Sequence, residues 1–296
     1  MMNFNQFEIN YLKGYAGVNG KKICIVINNE NYMLKMPGKA KFNNDMSYSN
    51  SSISEHIGSS IFNMLKVEAQ KTILGVYTTK DGIKRVAVAC KDFETEGYIL
   101  QEFHKVKNTF LESDSNGSGT DLIDVLEAIE NQNMIDSDLL KKHFWDVFIV
   151  DSLIGNFDRH NGNWGLLVNQ EKRDVKLAPV YDCGSCLFPQ NTEQNMIEIL
   201  KSKDEMNLRI FIRPESALKE NNKKINYFDF ISSLKNADCN EALLRIHKRI
   251  NLEQINKFID DVEYIDDTRK KFYKTILKER KEKIIDFSIK KLREID

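Results

Sequence analysis

The chain has 296 residues, which at about 150 residues per domain corresponds to two domains or to one domain with two lobes. Hydrophobic residues make up 41% of the chain, with only 14 Gly and 4 Pro, so collagen-like and wholly disordered classes are excluded. The 43 Lys and Arg residues nearly balance the 44 Asp and Glu residues, and this balance argues against nucleic-acid binding through a global basic field.

The sequence carries no transmembrane or signal segment that we can identify. No stretch approaches the ~18 apolar residues that a spanning helix requires, and the N-terminus lacks a basic region followed by an apolar one. We therefore expect a soluble, cytoplasmic protein, while export without a cleavable signal, as some effectors use, stays open. Five Cys residues do not form a paired framework, so we expect no disulfides.

The first hundred residues are predicted to form β-structure around one helix. The predicted strands are 7–12, 22–27, 32–36 and a pair within 71–93 that is joined by a turn at Asp81-Gly82. Three glycines between residues 14 and 20 predict a loop after the first strand. A helix is predicted to begin at Ser54, because Ile57, Ile61 and Leu65 then share one face.

Beyond about residue 104 the apolar pattern changes to a helical period. Residues 113–120 predict a mobile surface loop, and residues 138–155 predict a core helix that ends at Gly155. A hairpin is expected over 164–180. A last helix over 268–295 is expected to turn a series of apolar side chains inward: Phe272, Ile276, Ile284, Phe287 and Leu292. The fold class is α+β, with a small β-rich lobe at 1–104 and a larger helical lobe at 105–296.

Three polar residues in the second lobe have the types and the spacing of a phosphoryl-transfer site. Asp158 and Asn163 are five residues apart in GNFDRHNGNWG, and Asp182 follows in the sequence Asp-Cys-Gly. A protein-kinase catalytic loop has the same Asp-to-Asn offset, and a later Asp-x-Gly supplies a metal carboxylate. Asp158 is therefore the candidate base, and Asn163 and Asp182 are candidate Mg²⁺ ligands. We predict that His160 positions this loop.

The first lobe contains residues suited to holding the phosphates of a nucleotide. Lys35 lies at the end of the predicted strand YMLK, where a kinase lysine contacts the α and β phosphates, and Glu55 is its candidate ion-pair partner. The glycines of the 14–20 loop allow backbone amides to approach phosphate oxygens. We predict that the loop residues Gly17, Val18, Asn19 and Gly20 take part in this contact.

Together, GYAGVNGKK, YMLKMPG, SEHIG, VACKDF, GNFDRHNGNWG and YDCGS resemble the HipA-like serine/threonine kinases, and in particular their compact, cell-translocating kinase branch. The resemblance covers residues 10 to 190. It implies a bilobal kinase-like fold that uses ATP and Mg²⁺ to phosphorylate proteins at Ser or Thr, sometimes including the kinase itself. It also implies that the backbone of Lys91, Asp92 and Phe93 receives the adenine.

The sequence departs from protein kinases in its glycine spacing, in Asp-Arg-His at the catalytic loop and in lacking an Ala-Pro-Glu motif. Several HipA-like proteins act as toxins, so the resemblance leaves an effector or toxin role open, whereas the binding of an antitoxin-like partner cannot be carried over to this chain. Two other functions remain: a lipid or small-molecule kinase of the phosphatidylinositol-kinase type, and a nucleotide-binding pseudokinase scaffold. Acceptor serines or threonines for autophosphorylation are expected in 47–54 or 113–120.

Two further features have alternative interpretations. Cys183 and Cys186 form a C-x-x-C that could be a redox pair or half a zinc site, although no second such motif exists. Asp151 lies on the apolar stripe of the 138–155 helix, where a charge is costly unless paired. We predict that Asp151 accepts hydrogen bonds from backbone amides of the catalytic loop.

Overall fold

The computed structural model describes residues 2–15, 22–38, 49–110 and 116–294. Its N-terminal part contains an antiparallel sheet with the strand order β1-β2-β4-β3. The strands are β1 (Lys22–Ile27), β2 (Glu30–Lys35), β3 (Thr72–Thr78) and β4 (Lys84–Lys91). Asn28 and Asn29 join β1 to β2 with φ of 50° and 63°, because asparagine tolerates the left-handed conformation that a two-residue hairpin turn requires.

Helix α1 (Ser51–Met64) packs on β3 and β4 of this sheet. Ile57, Ile61 and Leu65 are fully buried, as their spacing predicts. The helix begins three residues earlier than Ser54, so Ser52 and Ser54 are buried in its first turn. The acceptor stretch expected over 47–54 therefore includes two buried serines, and autophosphorylation there stays a prediction; residues 47 and 48 lie outside the described residues.

The predicted strand over 7–12 is not formed. Only a single bridge joins Ile9 to Ile25, with hydrogen bonds from Asn10 N to Cys24 O at 3.0 Å and from Val26 N to Glu8 O at 2.9 Å. The chain then turns at residues 11 and 12, which leaves Tyr11 87% exposed. The alternation of apolar residues predicts too long a strand, because Tyr11 is in a turn and does not pack against the apolar core.

A second antiparallel sheet has the order β5-β6-β7 and carries the strands on both sides of the predicted hairpin turn. Its strands are β5 (Ile99–Glu102), β6 (Gly165–Asn169) and β7 (Asp174–Leu177). Since β5 pairs with β6, the chain passes from the first sheet to the second between Lys91 and Ile99. The division of the lobes at residue 104 stays a prediction.

Most of the remaining chain is helical, and two-residue strands β8 (Lys219–Glu220) and β9 (Lys223–Lys224) form a hairpin within it. The helices are α2 (Phe103–Phe110), α3 (Leu122–Asn131), α4 (Ser137–Ile154), α5 (Glu193–Lys201), α6 (Lys203–Asn207), α7 (Tyr227–Ser233), α8 (Ala237–His247), α9 (Leu252–Asp261), α10 (Asp267–Arg280) and α11 (Phe287–Arg293), with π-helical segments at Leu208–Ile212 and Lys281–Asp286.

The predicted last helix is interrupted by the π-helical segment Lys281–Asp286. Phe272, Ile276 and Ile284 are fully buried as expected, whereas Phe287 is 47% exposed. The wider π turn changes the rotational phase of the following residues, so the inward position predicted for Phe287 is wrong.

One large apolar core runs through the helical part and reaches the first sheet through α1. Helix α4 lies within this core. Asp136 accepts a hydrogen bond from Leu139 N at 2.7 Å at its start, and Gly155 closes it with φ of 65°. The α+β architecture with a sheet-rich first part is confirmed. Among the residues that the structure describes, no helix is long and apolar enough to cross a membrane.

Candidate active site

Three charged side chains predicted from separate motifs meet between the sheet and α1. Lys35, the last residue of β2, lies with Nζ 3.2 Å from Glu55 Oε1 and 3.3 Å from Asp182 Oδ1. Glu55 is 1% exposed, so its carboxylate is held in place by the packing of α1. Burial by itself would lower the pKa of Lys35, but Asp182 and Glu55 raise it well above the ordinary value. The lysine is therefore fixed as a cation.

The loop after α4 is folded by its own hydrogen bonds into a rigid turn. Asn163 Nδ2 donates to the carbonyl of Asp158 at 2.7 Å, and His160 N donates to the same carbonyl at 2.9 Å. Asn156 Oδ1 accepts from Asp158 N at 3.2 Å. These bonds direct Asn163 so that its Oδ1 is the atom left for another partner. The five-residue spacing between Asp158 and Asn163 is thus the length of one closed turn.

The ring of His160 is folded back over the loop. Its Nδ1 lies 3.0 Å from Gly162 N, and because a backbone N–H can only donate, Nδ1 accepts and carries no proton. The proton of the neutral imidazole is therefore on Nε2. The side chain is exposed, so this N–H is available to a bound group. That His160 positions the loop stays a prediction, and this contact within the loop supports it.

Arg159 lies under the loop and connects its two ends. The residue is buried, with 7% of its surface exposed. Its Nε and Nη2 contact the two carboxylate oxygens of Asp151 at 3.0 and 3.2 Å. Its Nη1 donates to the carbonyl of Asn163 at 3.0 Å and to the carbonyl of Tyr181. One guanidinium therefore links α4, the loop and the residue before Asp182.

Asp151 has different partners from those we predict from sequence. It is 1% exposed and binds Arg159 together with Asn156 Nδ2, which lies 2.9 Å from Oδ1. The expected backbone amides of the loop are not among these partners. Their place is taken by the guanidinium of Arg159, eight residues further along the chain. A buried acid requires a cation, and Arg159 is the signal that sequence reasoning missed.

The two loop carboxylates differ in their electrostatic surroundings. Burial raises the pKa of Asp158, with Asp182 adding to the rise and His160 opposing it. The nearby Lys35 ammonium lowers the pKa of Asp182. Asp182 also has a φ of 58°, an uncommon backbone conformation for a residue other than glycine. Different environments for two neighbouring carboxylates are typical of sites that assign them different roles.

The chemistry of the donor set fits a hard divalent cation. Asn163 Oδ1 is oriented by the bond of its own amide nitrogen, and Asp182 supplies a carboxylate that is 45% exposed. An amide oxygen and a carboxylate that keeps open positions suit Mg²⁺, which retains water and phosphate ligands. Gly184 leaves room for this arrangement, since a Cβ there would lie 3.2 Å from Glu55 Oε2.

The segment predicted to receive adenine follows β4. Lys91 uses its backbone within the protein, because its N–H donates to Lys71 O at 2.8 Å and its carbonyl accepts from Gln70 Nε2 at 2.9 Å. The Lys91 side chain pairs with Glu30 at 2.5 Å. Asp92 N donates to Asn31 O at 2.9 Å. No hydrogen bond between described residues uses the Asp92 carbonyl or the Phe93 N–H.

The carboxylate of Asp92 fastens the chain before the glycine loop to this segment. It is 7% exposed, accepts from Tyr15 Oη at 3.1 Å and pairs with Lys13. Asp92 therefore acts through its side chain as well as its backbone. The predicted loop contacts Gly17, Val18, Asn19 and Gly20 lie outside the described residues.

Cys183 and Cys186 are both buried and pack against α1. A Cβ built on Gly58 would lie 2.8 Å from Cys183 Cβ and from Cys186 Sγ. Burial raises the pKa of the Cys183 thiol to about 12. Such a thiol is not activated as a nucleophile, so its described surroundings favour a packing role for this pair.

Comparison with known proteins identifies the family of this chain. The HipA-like C-terminal domain family matches residues 15–263. Serine/threonine-protein kinase CtkA of Helicobacter pylori strain J99 is 46% identical over 286 residues, which cover 96% of this chain and 86% of the relative.

Two solved structures resemble the fold. The crystal structure of a Helicobacter pylori proinflammatory kinase CtkA has a TM-score of 0.90 at 44% identity, and 97% of this chain and 96% of that chain are covered. HipA of Shewanella oneidensis MR-1, in a toxin–antitoxin complex with HipB and operator DNA, has a TM-score of 0.57 at 14% identity. That match covers 93% of this chain and 66% of the other, and it supports the fold alone. The chain therefore belongs to the HipA-like kinase family, together with the serine/threonine-protein kinase CtkA.

Proposed function

We propose that this protein transfers the γ-phosphoryl group of ATP to Ser or Thr hydroxyls of proteins in a Mg²⁺-dependent reaction. The observation that carries the proposal is the position of Lys35 Nζ between Glu55 and Asp182, within 3.3 Å of both carboxylates. A cation fixed beside a metal-binding carboxylate has the arrangement that phosphoryl transfer requires at the nucleotide phosphates.

The nucleotide binds between the sheet and the catalytic loop. Lys35 contacts the α and β phosphates, and the loop of Gly17, Val18, Asn19 and Gly20 covers them with backbone amides. Adenine is received by the Asp92 carbonyl and the Phe93 N–H. The Asp92 carboxylate holds this segment in place through its contacts with Lys13 and Tyr15.

Asn163 and Asp182 hold Mg²⁺, which when bound neutralises charge on the phosphates. Asp158 accepts the proton of the acceptor hydroxyl, since its carboxylate is half-buried and its backbone is fixed by Asn163 and His160. The Nε2 proton of His160 donates a hydrogen bond to a phosphoryl or acceptor oxygen. The protein thus supplies a base and a donor on the acceptor side of the phosphates.

The test is transfer of label from γ-labelled ATP with Mg²⁺. Wild type, Asp158→Ala and Lys35→Met are compared, and Lys257→Ala, an exposed lysine of α9, is the matched control. The acceptors are the protein itself, a generic protein and phosphoinositide vesicles. We expect label on protein Ser or Thr, reduced about 10²-fold or more in Asp158→Ala and unchanged in the control.

Other outcomes favour the other candidate functions. Label on lipid would favour a phosphatidylinositol-kinase type of activity, and tight ATP binding without transfer would favour a pseudokinase scaffold. If the protein labels itself, mass spectrometry of the labelled chain tests the stretches 47–54 and 113–120. Label confined to other positions would contradict autophosphorylation there.

A further inference from the structure

A short basic hairpin lies beside the catalytic loop and has no part in the nucleotide site. Strands β8 and β9 form it, and Asn221 and Asn222 close it with φ of 52° and 62°. A two-residue turn of this type is tight and twists with its strands. All six residues from 219 to 224 are exposed, and they include three lysines and one glutamate. We call these six residues the basic hairpin.

The lysines of the basic hairpin have no acidic partner within the described part of the chain. No ion pair within 4.0 Å involves Lys219, Lys223 or Lys224. Many other lysines of the helical part do pair, such as Lys107 with Asp124 and Lys274 with Asp260. The three ammonium groups are therefore exposed together without an ion pair, and Glu220, opposite Lys223 in the strand register, is the one acid of the hairpin.

The segments next to the basic hairpin are hydrogen-bonded to residues on both sides of Asp158 in sequence. After the hairpin, Tyr227 Oη donates to the carbonyl of Asn156 at 2.6 Å, two residues before Asp158. At the first residue of the hairpin, Lys219 N donates to Thr120 O at 2.8 Å. The loop that contains Thr120 is in turn bound by Asn161, whose Nδ2 lies 2.8 Å from Gly119 O.

The basic hairpin lies on the side of the catalytic loop, since its neighbouring residues bind Asn156 and the segment held by Asn161. Lys35, by contrast, belongs to β2 of the first sheet. Phe157, directly before Asp158, is 38% exposed and adds an apolar surface next to the base.

We propose that the basic hairpin docks acidic segments of the protein acceptor, so that the kinase prefers Ser or Thr residues with Asp or Glu nearby in sequence. This inference rests on the proposed function and adds a substrate class to it. Charged groups at the rim of a binding surface mainly set partner choice and association rate, and exposed lysines without partners can act in this way. A protein segment fits both the lysines and the apolar side chain of Phe157.

The experiment compares matched Ser/Thr peptides whose flanking residues are acidic, neutral or basic. Transfer is measured for wild type and for the double variant Lys223→Glu/Lys224→Glu. The control is Lys257→Glu, which makes one Lys-to-Glu change at an exposed position of α9, a helix that packs against α1 and α10. Binding of the same peptides with Ser or Thr replaced by Ala is measured by fluorescence anisotropy, which needs no turnover.

We expect kcat/KM of wild type to be about tenfold higher for acidic than for neutral peptides, as a few exposed ion pairs would provide. Salt should reduce this preference. The double variant should prefer basic peptides, while Lys257→Glu keeps the wild-type order. Equal use of acidic and basic peptides by wild type, or an unchanged order in the double variant, would overturn the inference while leaving the kinase function intact. Transfer to phosphoinositide vesicles alone, or to no acceptor, would refute both.

Discussion

Replacing Arg159 by methionine is expected to destabilise the protein and to abolish phosphoryl transfer for two separable reasons. The guanidinium neutralises the buried Asp151 carboxylate, and it also holds the carbonyls of Asn163 and Tyr181. The first contact concerns stability. The second concerns the relative positions of Asn163 and Asp182, the candidate metal ligands.

The loss of stability follows from the burial of Asp151, which is 1% exposed. Removing one partner of a buried ion pair costs about 3–5 kcal/mol, because the other charge stays buried without compensation. Two carbonyls that lose a donor add about 1 kcal/mol each. The sum, about 5–7 kcal/mol, approaches the whole stability of many domains, so the variant should be purified and assayed at low temperature.

The double variant Asp151→Leu/Arg159→Met separates the two effects. Without either charge, the protein should regain about 3 kcal/mol relative to Arg159→Met in urea unfolding, since only the unpaired polar groups remain. Transfer should not return, because the carbonyls of Asn163 and Tyr181 still lack their donor. Arg159→Lys is the matched control, since lysine keeps the positive charge but cannot make the several simultaneous hydrogen bonds of the planar guanidinium.

Recovery of kcat together with stability in the double variant would refute this reasoning, since Arg159 would then act only on folding. A loss below about 1 kcal/mol in Arg159→Met would refute the burial argument. ATP affinity, measured separately by calorimetry, should change less than kcat, because the oxygen atoms that Arg159 binds belong to Asp151, Asn163 and Tyr181 and not to Lys35 or the 91–93 segment.

Two further predictions concern α1. Gly58→Ala should lower Tm, because the steric cost of a Cβ 2.8 Å from Cys183 Cβ and Cys186 Sγ exceeds the gain of about 1 kcal/mol from helix propensity; an unchanged or higher Tm would contradict the packing. Burial lowers the pKa of His56 to about 4, so the stability that neutral His56 provides is complete above pH 6.5 and falls by about 2 kcal/mol by pH 5. In urea unfolding, the free energy of unfolding of His56→Gln should therefore fall less between pH 7 and pH 5 than that of the wild type. Equal falls in the two proteins would refute the assignment.

The candidate site could be predicted from sequence to the extent that each of its residues belongs to a local motif. Asp158 and Asn163 lie within one hydrogen-bonded turn, so their spacing is fixed by local geometry. Lys35 and Glu55 are 20 residues apart, and their contact depends on how α1 packs on the sheet, so it could be predicted only from the order of the parts in a protein-kinase site.

The parts that sequence reasoning missed depend on long-range choices between competing partners. A buried aspartate on α4 indicates that some donor must reach it, but the pattern does not distinguish loop amides from the Arg159 side chain. The strand over 7–12 and the inward position of Phe287 were wrong for a related reason. Apolar periodicity indicates which side chains could be buried. The exposure of Tyr11 depends on a turn, and that of Phe287 on a π-helical segment, and neither feature can be predicted from the apolar pattern.

The pairing of β5 with β6 couples two distant segments of the candidate site. The ladder runs from Ile99 opposite Val168, on the side of the adenine segment, to Glu102 opposite Gly165, two residues after Asn163. One short, hydrogen-bonded span thus connects the segment after β4 to the candidate metal ligand Asn163. A substitution that shifts the register of this ladder would therefore displace both of these parts together.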